Sequence, residues 1–311
     1  MSCQQNVVRN ASDQEGRPFD GGCVLAYQHP MTRTWDDETR SGQRFGFGAN
    51  WRGFLARLDE GRIRQAEASV VALLGRNDLA GLRLLDLGSG SGLFSLAARR
   101  LGATVVSFDF DPDSVACTSG LRQAFFPDDA AWTVLRGSVL DRQFLDGLGA
   151  FDAVYSWGVL HHTGDQWTAL DNAARLVAPG GLLAIALYNH QPFFTPLHTA
   201  LKRLYGASPR AGRFCLALGY ALGAGAALAL ADLARGRNPL ARHASSGLPR
   251  GMSFWHDVVD WVGGWPFETS TPEQVFDFCR ARRFELRFLR TVGGKSGCNE
   301  FVFARGAAPV R

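Results

Sequence analysis

Between residues 82 and 188 the chain alternates short apolar runs with stretches of helical period, and this alternation limits the fold more than any other feature. The runs at 82–87, 104–108, 132–135, 153–156 and 182–187 are near-continuously apolar, as strands buried on both faces must be. Between them, residues 93–101, 112–123, 139–148 and 166–177 read as helices. Parallel strands joined by helices predict a doubly wound α/β domain.

The flanks are different in kind. Residues 1–50 are polar, with isolated aromatics, and read as an irregular arm ordered only where an aromatic finds a pocket. A helical period runs from Trp51 to Leu74 through Phe54, Leu55, Leu58, Ile63, Ala66, Val70 and Val71, and Gly75 ends it. Residues 190–265 break the alternation, and Phe214 to Ala231 are 18 residues without a charge. That meets the lower bound for a membrane span. A helix at 272–281 and strands at 285–291 and 300–304 follow, and strands closing the same sheet cannot lie across a bilayer from it. The segment therefore reads as a helical cap over the sheet's C-terminal edge, Ala- and Gly-rich enough for close packing, with no transmembrane span. Interfacial membrane contact is the weaker reading. Residues 236–253 have loop composition.

Lys and Arg (33) exceed Asp and Glu (29) only slightly and are dispersed, which disfavours a nucleic-acid partner. Six scattered cysteines, with no C-x-x-C pair, predict free thiols and no metal site. The first twenty residues lack the apolar stretch of a secretory signal, so a cytoplasmic protein is expected.

The loop Leu87-Gly88-Ser89-Gly90-Ser91-Gly92 follows the first strand and opens a helix, and its glycines let a backbone approach a ligand closely. Its G-x-G-x-G spacing is not that of a dinucleotide fingerprint, because position 93 is Leu. Asp86 stands two residues before the first glycine, where a carboxylate repels a pyrophosphate and suits an ammonium or sulfonium. The structural alternative for Asp86 is a strand end bonded to a backbone amide. Asp109 ends the second strand about twenty residues on, placed to accept ribose hydroxyls, while Asp111-Pro112 supplies the next helix cap. A ribose and a cationic amino-acid tail without phosphate describe S-adenosylmethionine.

On these residues the chain resembles the class I S-adenosylmethionine-dependent methyltransferases. LLDLGSGSG (84–92), VVSFDFDPDSV (105–115), RGSVLD (136–141), FDAVYSWGVLHH (151–162) and LVAPGGLLAIALYN (176–189) are similar to that family's motifs, in the family's order. The resemblance covers about residues 60–305 and implies a Rossmann-like, seven-stranded sheet whose last strand is antiparallel and inserted between strands five and six. It divides the chain into an arm and lid (1–59), the methyltransferase domain (60–305, with the cap at 190–265) and a tail (306–311). It implies that Asp86, Gly88, Ser89, Gly90, Gly92, Asp109, Phe110, Gly137, Ser138, Val139, Ser156 and Trp157 hold S-adenosyl-L-methionine and release S-adenosyl-L-homocysteine. Ser138 stands where the family often has an Asp for the adenine amino group, so only its hydroxyl serves there.

Methyl transfer from sulfonium needs a collinear approach by an acceptor with a free lone pair, and a base helps with a hydroxyl or ammonium acceptor. Of seven histidines, His161 and His162 fall together just after the fourth strand. His162 is the expected catalytic base and His161 a structural or cofactor-side neighbour. Tyr188 ends the fifth strand and is placed to orient a substrate oxygen, with His190 a reserve base. The aromatic cluster at 254–268 is either a pocket wall or an anchor for the cap, the glycine-rich 293–300 a ligand-facing loop or a wide turn, and residues 45–51 a lid. The expected reaction is methylation of O or N, or C, of a small metabolite or natural-product intermediate. Peptide, RNA or carrier-bound acceptors, and a non-catalytic cofactor-binding module, are the alternatives. Ser156-Trp157-Gly158-Val159 replaces the Asn/Asp-Pro-Pro-aromatic tetrad of base-amino methylases, against nucleic acid.

Overall fold

The computed structural model describes residues 34–238 and 254–306. The arm's first 33 residues with Cys3 and Cys23, most of the 236–253 loop, and the tail beyond 306 lie outside the described residues.

The alternation folds as predicted. Strands β1 (Arg83–Leu87), β2 (Thr104–Asp109), β3 (Trp132–Arg136), β4 (Phe151–Trp157) and β5 (Val177–Tyr188) are parallel, and β6 (Phe284–Arg290) and β7 (Cys298–Arg305) complete a seven-stranded sheet in the order β3-β2-β1-β4-β5-β7-β6. The last strand, β7, lies between β5 and β6 and runs antiparallel to both. Strand β5 begins five residues earlier than its apolar run suggests. Val177 pairs with Phe151, and the register then jumps to Leu182 opposite Ala153, leaving residues 178–181 as a bulge.

Helices cover both faces. Around Leu85, Leu87, Val154 and Ile185 pack α6 (Arg142–Asp146), α7 (Gln166–Arg175) and α11 (Pro272–Ala281). Around Leu84, Val105 and Ala184 pack α3 (Glu60–Leu74), α4 (Leu93–Arg100) and α5 (Pro112–Phe125). Asp111 caps α5 by accepting the Asp113 N–H at 2.9 Å, with Pro112 in the first turn, as the sequence indicates.

Two expectations for the arm are corrected. Residues 35–40 form a helix, α1 (Trp35–Arg40), started by a reciprocal capping box between Thr34 and Asp37. The period read from Trp51 to Leu74 is two helices, α2 (Gly48–Leu55) and α3, because the Asp59 side chain accepts the Arg62 N–H and caps a new start.

The cap comprises α8 (Phe194–Ala207), α9 (Arg210–Ala234) and α10 (Phe254–Gly263), between β5 and β6 in the chain. Its own small core holds Tyr205, Ala217, Ala221, Val258 and Val262. The close packing expected of α9 holds on that side only. Leu218, Leu222, Leu230 and Leu233 face outward, and α9 is the one helix among the described residues long and apolar enough to cross a membrane.

Candidate functional site

β1 pairs with β2 on one side and β4 on the other, so the loops leaving β1 and β4 part and open a crevice at their carboxyl ends. A cavity of about 1030 Å³ occupies it. That is at the upper limit of ordinary ligand sites, roughly 300–1,000 Å³, and gives room for a nucleoside and a second molecule. The glycine loop, Asp109, Phe110, Trp157, His162 and Tyr188 form its floor, and the arm and the cap close over it.

The glycines do more than clear a path for a ligand. Gly88 has φ +78°, and a Cβ there would lie 2.4 Å from Val159 Cγ1. At Gly92 a Cβ would lie 2.9 Å from Thr118 Cα, and at Gly90 3.1 Å from the Trp51 ring. Protein therefore occupies the side on which a Cβ would stand at each of the three, while residues 88–91 line the cavity. The Ser89 hydroxyl is paired with that of Thr118 at 2.9 Å.

Two carboxylates face this loop. Asp86 accepts the Ser95 hydroxyl at 2.5 Å and a Ser95 backbone bond, so the lining reading and the strand-end reading both hold. Burial pushes Asp86 up to about 7, offset in part by Ser95. Asp109 accepts the Gly90 N–H on one oxygen and the Asp111 N–H on the other, each at 2.9 Å. Its burial outweighs those bonds and pushes it up to about 6.

On the far side of β2, Gly137, Ser138 and Val139 line the cavity, and the Ser138 hydroxyl accepts the Leu140 N–H at 3.1 Å. Phe110 lies beneath the Arg44 guanidinium, 5.0 Å from ring centroid to carbon. Ser156 is a correction. Its hydroxyl donates to the Leu87 carbonyl at 3.1 Å, fully buried between β4 and β1, and it does not line the cavity. Trp157 does, stacked on Tyr155 with ring centroids 5.8 Å apart.

The 3₁₀ turn Leu160–His162 separates the paired histidines. His162 lines the cavity, and its Nδ1 lies 2.6 Å from the Pro266 carbonyl oxygen. A carbonyl only accepts, so Nδ1 carries the proton and Nε2 keeps its lone pair. Burial, with Lys202 and Arg44 nearby, pushes His162 down to about 3 and holds it neutral. His161, expected as a structural or cofactor-side neighbour, does not line the cavity. Fully buried, it accepts the Tyr188 N–H at Nδ1 (3.2 Å) and packs against the Tyr188 ring in a tilted arrangement with centroids 3.9 Å apart, so it holds the end of β5. Tyr188 lines the cavity, its ring 5.4 Å from that of His162. His190 is exposed and bonded to Thr269 outside the cavity, so it is no reserve base.

Several contacts at or beside the site carry no sequence signal. Arg44, in the arm, donates to the carbonyls of His162 (2.9 Å) and Thr163 (3.3 Å) and lines the cavity. Asn50 Nδ2 donates to Asp260 Oδ1 and ties arm to cap. Lys202, buried in the cap, donates to the Trp261 carbonyl over the Trp261 and Phe267 rings, and burial pushes it down to about 7. The cluster at 254–268 is wall and anchor together: Val258, Asp260 and Trp261 reach the cavity, while Val262 sits in the cap core. Side chains of Phe254, His256 and Asp257 lie outside the described residues. Ser296, Gly297 and Cys298 of the β6–β7 turn form part of the rim.

Residues 58–222 match the model of a family described as the methyltransferase domain. A stretch of 121 residues is 35% identical to the ubiquinone biosynthesis O-methyltransferase of a Caulobacter species, covering 37% of this chain and 44% of that protein. The protein of that name from Xanthomonas oryzae pv. oryzae is 36% identical over 119 residues, 38% of this chain and 47% of that one. The chain thus spans less than half the length of these relatives. Among solved structures, magnesium protoporphyrin IX methyltransferase from Synechocystis, with bound SAH, aligns over 83% of this chain and 94% of that one at 16% identity and a TM-score of 0.49.

Proposed function

This chain belongs to the methyltransferase-domain family, and we propose that it moves a methyl group from S-adenosylmethionine to an oxygen or nitrogen of a small acceptor. One observation carries the reading: two buried carboxylates, Asp86 and Asp109, share a cavity with a neutral histidine. Carboxylates forced toward their neutral form fit a ligand that brings positive charge and no phosphate. S-adenosylmethionine carries an ammonium and a sulfonium, and when bound supplies an electrophilic methyl carbon.

In this reading Asp86 holds the ammonium. Asp109 takes the ribose hydroxyls with the lone pairs left beyond Gly90 and Asp111. Phe110, Ser138 and Val139 bound the adenine, with Ser138 still able to donate its hydroxyl proton. His162 receives the acceptor's O–H or N–H at Nε2. Its low basicity makes it an orienting and polarising group rather than a store for the proton. Phe47, Tyr188 and Trp261 give the acceptor an aromatic enclosure, and residues 44–51 serve as the lid. The relatives' names point to oxygen as the acceptor atom.

Calorimetry with S-adenosylmethionine, S-adenosylhomocysteine and NAD, joined to a screen of phenolic and amine acceptors by mass gain, tests the reading. Binding of both sulfur ligands, and a methyl mass increment on an acceptor, are expected. NAD binding without binding of either sulfur ligand would reject it.

A further inference from the structure

Helix α9 presents three different faces. Ala217 and Ala221 pack into the cap core against Val258 and Val262 of α10, and Tyr220 and Ala224 line the cavity. The third face, roughly 160° wide at 3.6 residues per turn, carries Phe214, Leu218, Leu222, Leu230 and Leu233, all exposed. Beside it, α8 and the residues before it expose Phe193, Phe194, Leu197 and Leu204, with Phe193 at 89%. These nine account for nearly all of the exposed large apolar side chains among the described residues; Phe125 and Leu289 are the others. Single exposed leucines are ordinary, but nine large apolar side chains exposed along two successive helices that touch each other mark a contact surface.

The charges around this surface say what it meets. Arg203 and Arg210 stand exposed near one end of α9, and Arg235 and Arg237 at the other. The one carboxylate between residues 193 and 237, Asp232, is buried. From apolar ridge and arginine ends together, we infer that the α8–α9 face docks on an anionic lipid bilayer, with its leucines and phenylalanines at the acyl boundary and its arginines on lipid phosphates.

A second copy of the chain fits less well. A two-fold pairing would lay the ridge on itself and bring arginine ends against arginine ends, parallel or antiparallel. Spanning fits no better, because α9 is fastened along Ala217 and Ala221 to α10, and the chain on both sides of the cap enters one sheet. The helix therefore lies along the bilayer surface.

Co-sedimentation of the full chain with phosphatidylcholine–phosphatidylserine vesicles, and with pure phosphatidylcholine, tests this. Wild type should bind the anionic vesicles preferentially and release in high salt. The double variants Leu222→Glu/Leu230→Glu and Arg235→Glu/Arg237→Glu should each weaken binding about tenfold or more. All four substituted positions avoid the cavity lining, so thermal midpoints and S-adenosylhomocysteine binding serve as folding controls. Wild type left in the supernatant would overturn the inference, as would binding that neither variant changes. Light scattering that shows a dimer, converted to monomer by Leu222→Glu/Leu230→Glu, would assign the face to a second copy instead.

Discussion

The Nδ1 of His162 is bonded to the carbonyl oxygen of Pro266 at 2.6 Å, and this one contact sets the tautomer of the histidine that lines the cavity. His162→Ala should lower kcat by roughly 10²-fold, the low end for a proton-handling group, while cofactor affinity changes little. Because His162 is held down at about 3, kcat should show no titration of this group between about pH 5 and 8. Steady-state rates across that range check both. A rate pKa near the ordinary histidine value that vanishes with His162→Ala would refute the assignment. The same depression bears on stability: the unfolded chain binds a proton that the folded one refuses, so this contribution is lost as pH falls from 6.5 toward about 3.

Asp86 and Asp109 give the opposite slope. Raised from 3.8 to about 7 and about 6, they retain protons that the unfolded chain has lost, so the unliganded protein loses stability as pH rises through that window. A cationic ligand favours their ionised forms. Its affinity should therefore climb from about pH 5 to 7 and level off above, with proton release on binding. Calorimetry in buffers of different ionisation heat measures both quantities, and Asp86→Asn should remove most of the dependence. A flat affinity would mean that Asp86 is not the counter-charge.

Gly88→Ala should destabilise the protein even without ligand. The left-handed backbone costs an alanine about 1–2 kcal/mol, and the contact with Val159 adds about 1–3 kcal/mol. Adding Val159→Ala should recover the contact part and leave the backbone part. Denaturant unfolding of the unliganded variants separates the two. An unchanged midpoint for Gly88→Ala would return the glycine to a purely ligand-facing role.

Lys202 offers a stability test within the cap. Burial takes it from 10.5 down to about 7, so the unfolded chain binds its proton more firmly, and wild-type stability should rise with pH between those values. Lys202→Met should flatten that rise and be neutral or stabilising near pH 7 by on the order of 1–2 kcal/mol, net of the lost bond to the Trp261 carbonyl. Thermal midpoints from pH 7 to about 10 decide it. A variant that melts lower throughout with the wild-type slope would contradict the argument.

Much of this architecture is local in origin and so could be read from the chain. Strand runs such as Thr104–Asp109 are apolar because both of their faces are covered, and the division of labour between Asp109 and Asp111 follows from Pro112 beginning a helix. Helix α1 escaped because WDDETR has no apolar period and buries no residue; only the Thr34–Asp37 box marks it. Neighbouring His161 and His162 look alike in sequence, and a short 3₁₀ turn decides which of them faces the cavity. The bonds made by Arg44, Asn50 and Asp260 were illegible for a different reason. Their partners lie more than a hundred residues away in the chain, so nothing near them records the pairing.

The two bonds from Arg44 to the carbonyls of His162 and Thr163 join the arm that lines the cavity to the 3₁₀ turn that carries the histidine. The segment over the cavity and the backbone behind the imidazole are thereby held as one piece. In the proposed reading of residues 44–51 as a lid, lifting them would break both bonds, and the surroundings of the imidazole would be rebuilt on closing rather than standing ready in an open vestibule.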